Sequence, residues 1–205
     1  MMITEAVELK NRFLEALQRR YQETREGIHV SDLVYCLRQA YYRKVDPKPP
    51  TIRQLAFFVD GARRHAALQA LCGSQVEVQV ERWGIRGTID ALNGDGPIEF
   101  KSTRAREATP DHYWTQLEYY MALTNARRGY LIIQRLNARR DEDPWEFYLI
   151  ERTPEELAQI GQEMRSKAQA LRRALETRDP SRLPWPSRDM RWKCRNCPYR
   201  QRCRA

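Results

Sequence analysis

Between Gly87 and Thr103 the chain reads Gly-Thr-Ile-Asp-Ala-Leu-Asn-Gly-Asp-Gly-Pro-Ile-Glu-Phe-Lys-Ser-Thr, a pattern of two short strands joined by a tight turn. Asn93-Gly94-Asp95-Gly96 is dense in residues that tolerate positive φ, the strongest short-range hairpin signal. A turn centred between Gly94 and Asp95 puts Asp90 directly opposite Glu99. Side chains alternate along a strand, so Lys101 shares the face of Glu99, while Ile89, Ala91, Ile98 and Phe100 point the other way, into a core. A turn on Asn93-Gly94 would move Asp90 to a diagonal from Glu99 and still keep both on one face. Two acids and a lysine gathered in this way can hold a divalent cation against a phosphodiester. On a solvated strand the same residues make only an exposed salt-bridge ladder, so the flanking segments have to decide.

Those segments supply a frame. Val7, Leu9, Phe13, Leu14 and Leu17 make residues 4–24 a polar helix with one apolar stripe. Ser31-Asp32 offers an N-cap for a second helix, Leu33 to Lys44, with Cys36 near its start. Pro47, Pro49 and Pro50 break the chain, and a third helix over about 52–71 carries Gly61 and His65, the glycine allowing close packing against a sheet. Gln75–Trp83 alternates through Val76, Val78 and Val80 as a strand. Thr109-Pro110-Asp111 starts a helix to about Thr124, with proline at the first helical position. Arg128–Leu136 and Trp145–Glu151 read as strands around a charged loop, and Thr153-Pro154-Glu155-Glu156 opens a long helix to about Thr177. The order helix, three strands, helix, two strands, helix predicts an α/β sandwich around a mixed sheet.

With 205 residues, 41% of them hydrophobic and 31% charged, the chain has the composition of a folded domain rather than a disordered one. Its net charge of +9 suits a polyanionic partner, most simply nucleic acid. No run approaches the about 18 apolar residues of a membrane span, and the N-terminus lacks a signal-peptide core, so a cytoplasmic protein without membrane contact is expected. Five cysteines in such a chain argue against a disulfide framework. Three crowd the C-terminus as Cys194-x-x-Cys197-Pro-x-x-x-x-Cys203 and need a fourth ligand for a tetrahedral zinc site or an iron–sulfur cluster. Cys36 is the better candidate; Cys72 reads as a buried helix-end thiol.

Asp90 and Glu99 are the expected ligands of Mg²⁺ or Mn²⁺, hard cations that prefer carboxylate oxygen. Lys101 would orient an attacking water or contact the phosphate. His65 is a candidate added ligand. Gln116 and Tyr120, four apart on one helix, share a face that could border the acid cluster. Arg104, Arg106, Arg127, Arg128, Arg139 and Arg140 could meet phosphates, and Tyr113 and Trp114 could stack on bases.

The set Gly-x-x-x-His, Gly-Thr-Ile-Asp, Glu-Phe-Lys and Gln-x-x-x-Tyr, in this order, resembles the RecB-type nucleases of the PD-(D/E)xK superfamily. One cysteine before that core and three after it make the chain similar to the CRISPR-associated RecB-like exonucleases, the fourth Cas protein family. The resemblance spans Cys36 to Cys203. It implies a restriction-endonuclease-like fold, a central mixed β-sheet flanked by helices, with iron–sulfur-bound helical segments at both ends. One nuclease domain is then expected over 1–205: a helical N-terminal part over 1–50, a nuclease core over 52–178 and a cysteine segment over 179–205. The resemblance further implies metal binding by His65, Asp90, Glu99 and the Phe100 backbone carbonyl, with Lys101, Gln116 and Tyr120 completing the catalytic set. Cys36, Cys194, Cys197 and Cys203 would ligate the cluster, for which [4Fe–4S] is expected rather than [2Fe–2S]. The implied activity is cleavage of DNA, chiefly single-stranded, in the trimming of new spacers with the CRISPR integrase complex. A non-catalytic DNA-end-binding partner of that integrase and a restriction or repair endonuclease are the alternatives, and a homo-oligomer is compatible with either.

Overall fold

The computed structural model describes residues 4, 6–21, 25–71, 75–105, 109–186 and 188–204. Cys72 and Arg106 lie outside these. In chain order the elements are α1 (Val7–Tyr21), β1 (Ile28–His29), α2 (Val30–Val34), α3 (Leu37–Val45), α4 (Ile52–Gln69), β2 (Gln75–Arg82), β3 (Ile85–Leu92), β4 (Pro97–Thr103), α5 (Asp111–Thr124), β5 (Arg128–Arg135), β6 (Trp145–Glu151) and α6 (Pro154–Thr177). A 3₁₀ helix (Arg188–Asn196) and α7 (Arg200–Arg204) finish the chain. No helix among the described residues is long and apolar enough to cross a membrane.

The strands form one mixed sheet in the order β1-β3-β4-β5-β6, with β2 paired along β3. β1–β3 and β4–β5 are parallel; the other pairs are antiparallel. α5 lies between the sheet and α6. Its Leu117 and Met121 pack with Leu131, Ile133 and, from α6, Leu157, while Tyr119 and Tyr120 share the main core with Met164, Ala168 and Leu171. Capping boxes start both α4 and α6. Thr51 Oγ1 accepts from the Gln54 N–H at the head of α4 (3.3 Å), and Thr153 Oγ1 from the Glu156 N–H at the head of α6 (3.2 Å).

Three expectations need correction. The helix expected over Leu33–Lys44 is two helices. α2 begins already at Val30, where the Asp32 carboxylate accepts the His29 N–H (3.0 Å), and it stops at Tyr35; Cys36, with an extended backbone, is the N-cap of α3. Pro110 is the N-cap of α5 and not its first helical residue. The turn of the β3–β4 hairpin uses no positive φ, since Gly27 and Gly84 alone among the described glycines adopt one. The Asn93 side chain closes it instead, its Oδ1 accepting from the N–H groups of Asp95 (3.0 Å) and Gly96 (2.8 Å).

The C-terminal segment returns to the N-terminal helices. The buried Arg38 guanidinium on α3 donates to the carbonyls of Leu183 and Ser181, both at 2.9 Å. Tyr199 is buried, stacks on Tyr42 with ring centroids 5.6 Å apart, and donates its hydroxyl to the Asp46 carbonyl (3.0 Å). Residues far apart in sequence thereby meet at the start of α3, where Cys36 sits.

Candidate active site

The hairpin has the expected register: Leu92 pairs with Pro97 and Ala91 with Ile98. At the next step a side chain replaces the ladder, because Asp90 Oδ2 accepts the Phe100 N–H (2.8 Å). That bond fixes the carboxylate in the gap between the strands and leaves Oδ1 facing His65, whose Nδ1 stands 3.3 Å away. His65 reaches the gap from α4, its ring edge-on to Phe100 at 6.5 Å between centroids. Ala91, Ile98 and Phe100 pack with Leu68, Tyr130 and Ile132, so α4 is held over the sheet one turn beyond the histidine. Ile89 belongs to the main core instead.

Glu99 is 1% exposed, which removes the exposed salt-bridge ladder as a reading. Its Oε1 accepts from Lys101 Nζ, which also donates to Gln116 Oε1 (2.9 Å). Gln116 Nε2 in turn donates to the Tyr120 hydroxyl (3.3 Å). Every residue expected at the site therefore converges there, from α4, β3, β4 and α5. Gly87 permits this: a Cβ on it would stand 2.8 Å from the Tyr120 ring and 3.2 Å from Val30.

The electrostatics are asymmetric. Burial pushes the Glu99 carboxyl up to about 7, against the lowering effect of the Lys101 charge. Burial also acts to lower Lys101, yet its pKa is raised, because Glu99, Tyr35 and Asp90 surround it. Lys101 keeps its proton, and Glu99 is the member of the pair that titrates. The His65 imidazole is raised, chiefly by its hydrogen bond to Asp90.

Among the described residues no three His, Cys, Asp or Glu side chains are drawn together as a closed metal-holding group. The donors nonetheless fit a cation. Glu99 Oε2 is buried with no hydrogen-bond partner, and an orphaned buried oxygen of this kind costs on the order of 1–3 kcal/mol or more. A hard cation held by Glu99 with help from neighbouring donors would satisfy that oxygen.

The four C-terminal and N-terminal cysteines also converge. Cys36, Cys194, Cys197 and Cys203 line one small cavity with Gln39, Tyr42 and Tyr199. All four are free thiols, and burial raises those of Cys36 and Cys197. They share the cavity lining without forming, among the described residues, a group that could hold a metal ion as it stands.

Two residues at the boundary of these sites escaped the sequence. Lys193 Nζ sits 3.1 Å from the centre of the Tyr35 ring, and burial lowers its pKa to about 8. Burial raises the Tyr35 hydroxyl, and the charges of Lys101 and Glu99 both act on it. The only sequence signal for the pair is adjacency, since Tyr35 precedes Cys36 and Lys193 precedes Cys194. Of the proposed DNA contacts, Trp114 packs edge-on against Tyr148 (5.1 Å) and borders the core, and Tyr113 lies under Lys101 (5.5 Å). Arg128 and Arg139 are paired with Glu151 and Glu142. Gly61 departs from expectation: a Cβ there would meet nothing within 4 Å, so the glycine is not packed against the sheet.

In fold the protein is similar to SSO0001, at 22% identity and TM-score 0.66 over 98% of this chain and 97% of that one. It is similar too to the alkaline exonuclease LHK-Exo from Laribacter hongkongensis, at 17% identity and TM-score 0.52 over 80% of this chain and 95% of that one. LHK-Exo in complex with dAMP gives 18% and 0.51 over 74% and 90%. At these identities the likeness establishes the fold alone. No curated protein matches the sequence. The PD-(D/E)XK nuclease superfamily matches over residues 7–204, nearly the whole chain and all of the acid–lysine hairpin, and the protein belongs to that superfamily.

Proposed function

We propose that the protein is a metal-dependent DNA exonuclease acting mainly on single-stranded DNA. The observation that carries this reading is the buried Glu99 carboxylate, one oxygen bound to Lys101 and the other unpartnered, with Asp90 and His65 near enough for their charges to act on it. Asp90, Glu99 and His65, with the Phe100 carbonyl, would hold Mg²⁺ or Mn²⁺. When bound, the cation supplies activation of water and stabilisation of charge developing on the scissile phosphate. Lys101 presents a fixed ammonium to that phosphate or its attacking water. Gln116 holds Lys101 in place, and Tyr120 accepts from Gln116 to fix the amide's orientation.

Cys36, Cys194, Cys197 and Cys203 would hold an iron–sulfur cluster, with [4Fe–4S] favoured over [2Fe–2S]. Its first role is structural: it would tie α3 to the C-terminal segment, closing a very long loop. The finer placement, trimming of prespacer ends with the CRISPR integrase complex, rests on the order of the motifs and on the one-plus-three cysteines. The exonuclease LHK-Exo shares the fold and lends weight to end-directed cleavage.

End-labelled oligonucleotides test this reading. With Mg²⁺ or Mn²⁺, a single strand should shorten to a ladder from one end, faster than a blunt duplex of the same sequence. Cuts at fixed internal duplex sites would indicate a restriction-type endonuclease. Binding without cleavage would indicate a DNA-end-binding partner.

A further inference from the structure

A groove of about 920 Å³ runs between α4 and the body of the protein, and His65 stands in its wall. Phe58, Gly61, Ala62 and His65 line it along one face of α4, so the groove leads from a pair of phenylalanines to the catalytic cluster. Phe57 and Phe58 are 54% and 44% exposed, unusual for rings of this size, and Tyr21 packs against Phe58 at 5.4 Å between centroids. The groove's charged lining is mainly cationic: Arg25, Arg43, Lys44, Lys48 and Arg172 outnumber Glu26 and Asp32. Asp32 is paired with Lys44 (3.1 Å) and with Arg43 (3.9 Å), whose side chain stays half exposed. Arg25 is near enough to the catalytic end for its charge to act on Tyr120.

Gly61 sits in the middle of this path. A glycine inside a helix weakens it, and close packing is the usual compensation. Here a Cβ would enter open space, and the residue has no positive φ. That open space faces the groove and leaves room for something outside the chain to approach the helix backbone. Exposed rings, an excess of cations and a bare stretch of helix next to a phosphodiester site match one kind of occupant: a nucleic-acid strand whose bases are free to stack.

We infer that this groove carries the single DNA strand to the active site, with Phe57 and Phe58 as a stacking platform, Arg43 and Lys48 as phosphate contacts, and Gly61 left bare so that the strand can pass to His65. The inference rests on the nuclease reading for its direction, but its test does not need cleavage.

The experiment measures anisotropy of fluorescein-labelled dT20 in EDTA, with thermal melting alongside, for the full chain and for Gly61→Ala, Gly61→Leu and Phe57→Ala/Phe58→Ala. The glycine variants should melt at or above the parent temperature. Affinity should fall at least tenfold in Gly61→Leu and in the double variant, and less in Gly61→Ala. Binding by Gly61→Leu within twofold of the parent would overturn the inference, as would a lower melting temperature for Gly61→Ala, which would show the site to be packed. Tighter binding of a duplex of equal length would overturn the single-strand assignment. Groove-dependent binding by a parent that cleaves nothing would support the groove and sink the nuclease reading; cleavage by a parent whose Gly61→Leu variant binds unchanged would do the reverse.

Discussion

The buried Glu99 gives the metal-free protein a stability that depends on pH in a calculable way. Its carboxyl titrates near 7 in the folded chain and in the ordinary range, near 4.5, when unfolded. Between those values the folded state holds a proton that the unfolded state has released, so stability falls as pH rises, by about 1.4 kcal/mol per unit. Over the window from about pH 5.5 to about pH 8 the loss from this group is about 2 kcal/mol. His65 adds a loss of the same sign, because its raised pKa contributes stability that disappears as pH climbs through it. Carboxylates held low by partners, such as Glu146 beside Arg135, gain their stability at lower pH and contribute little across this window. Urea denaturation in EDTA, repeated through the window, should therefore show the parent losing about 2 kcal/mol relative to Glu99→Gln, or roughly 4–8 °C in melting temperature for a chain of this size. The slope is the readout, since the absolute stability of Glu99→Gln also carries the changed pairing of Lys101. Mg²⁺ or Mn²⁺ should flatten the parent's slope by holding the carboxylate ionised, and should leave the variant almost unmoved. Parallel pH profiles for parent and variant, or a parent that gains on the variant as pH rises, would refute the reasoning.

Other perturbations probe the supports of the site. Gly87→Ala places a methyl against Tyr120 and Val30, and overpacking of this kind costs about 1–3 kcal/mol. It should also lower kcat through the displaced Tyr120–Gln116–Lys101 chain, measured as single-turnover cleavage beside chemical denaturation. Cys194→Ala should lower the melting temperature and bleach visible absorbance; full colour and unchanged melting would count against a cluster, and zinc without iron or sulfide would assign the other ligand set. Because Lys193 lies on Tyr35, whose hydroxyl feels the charge of Lys101, the same variant should also weaken cleavage.

The hairpin was legible because turn length and strand alternation fix register, and register fixes which side chains meet. His65, Gln116 and Tyr120 were legible as spacings on helices, but only the folded chain brings them to within hydrogen-bonding reach. Local rules failed where distant contacts decided. The expected helix breaks at Tyr35, whose ring meets Lys193 and His112 from distant parts of the chain, contacts that no local pattern shows. The two-residue β1 exists only through its parallel pairing with β3. Gly61 looked like a packing glycine because sequence cannot tell a crowded side of a helix from an open one. The Asn93 turn was read through its glycines, when the asparagine side chain makes the bonds.

The central claim is that Asp90, Glu99 and Lys101 form a metal-dependent phosphodiester-cleaving centre. The most direct measurement is the initial rate of release of acid-soluble nucleotide from labelled single-stranded DNA, with Mg²⁺, Mn²⁺ or EDTA, for the parent, Asp90→Ala and Lys101→Ala. The account predicts degradation by the parent with either cation, none in EDTA, and a loss of at least about a hundredfold in both variants, the scale of removing a charge-stabilising group. Cation-independent degradation, or variants that match the parent, would contradict it.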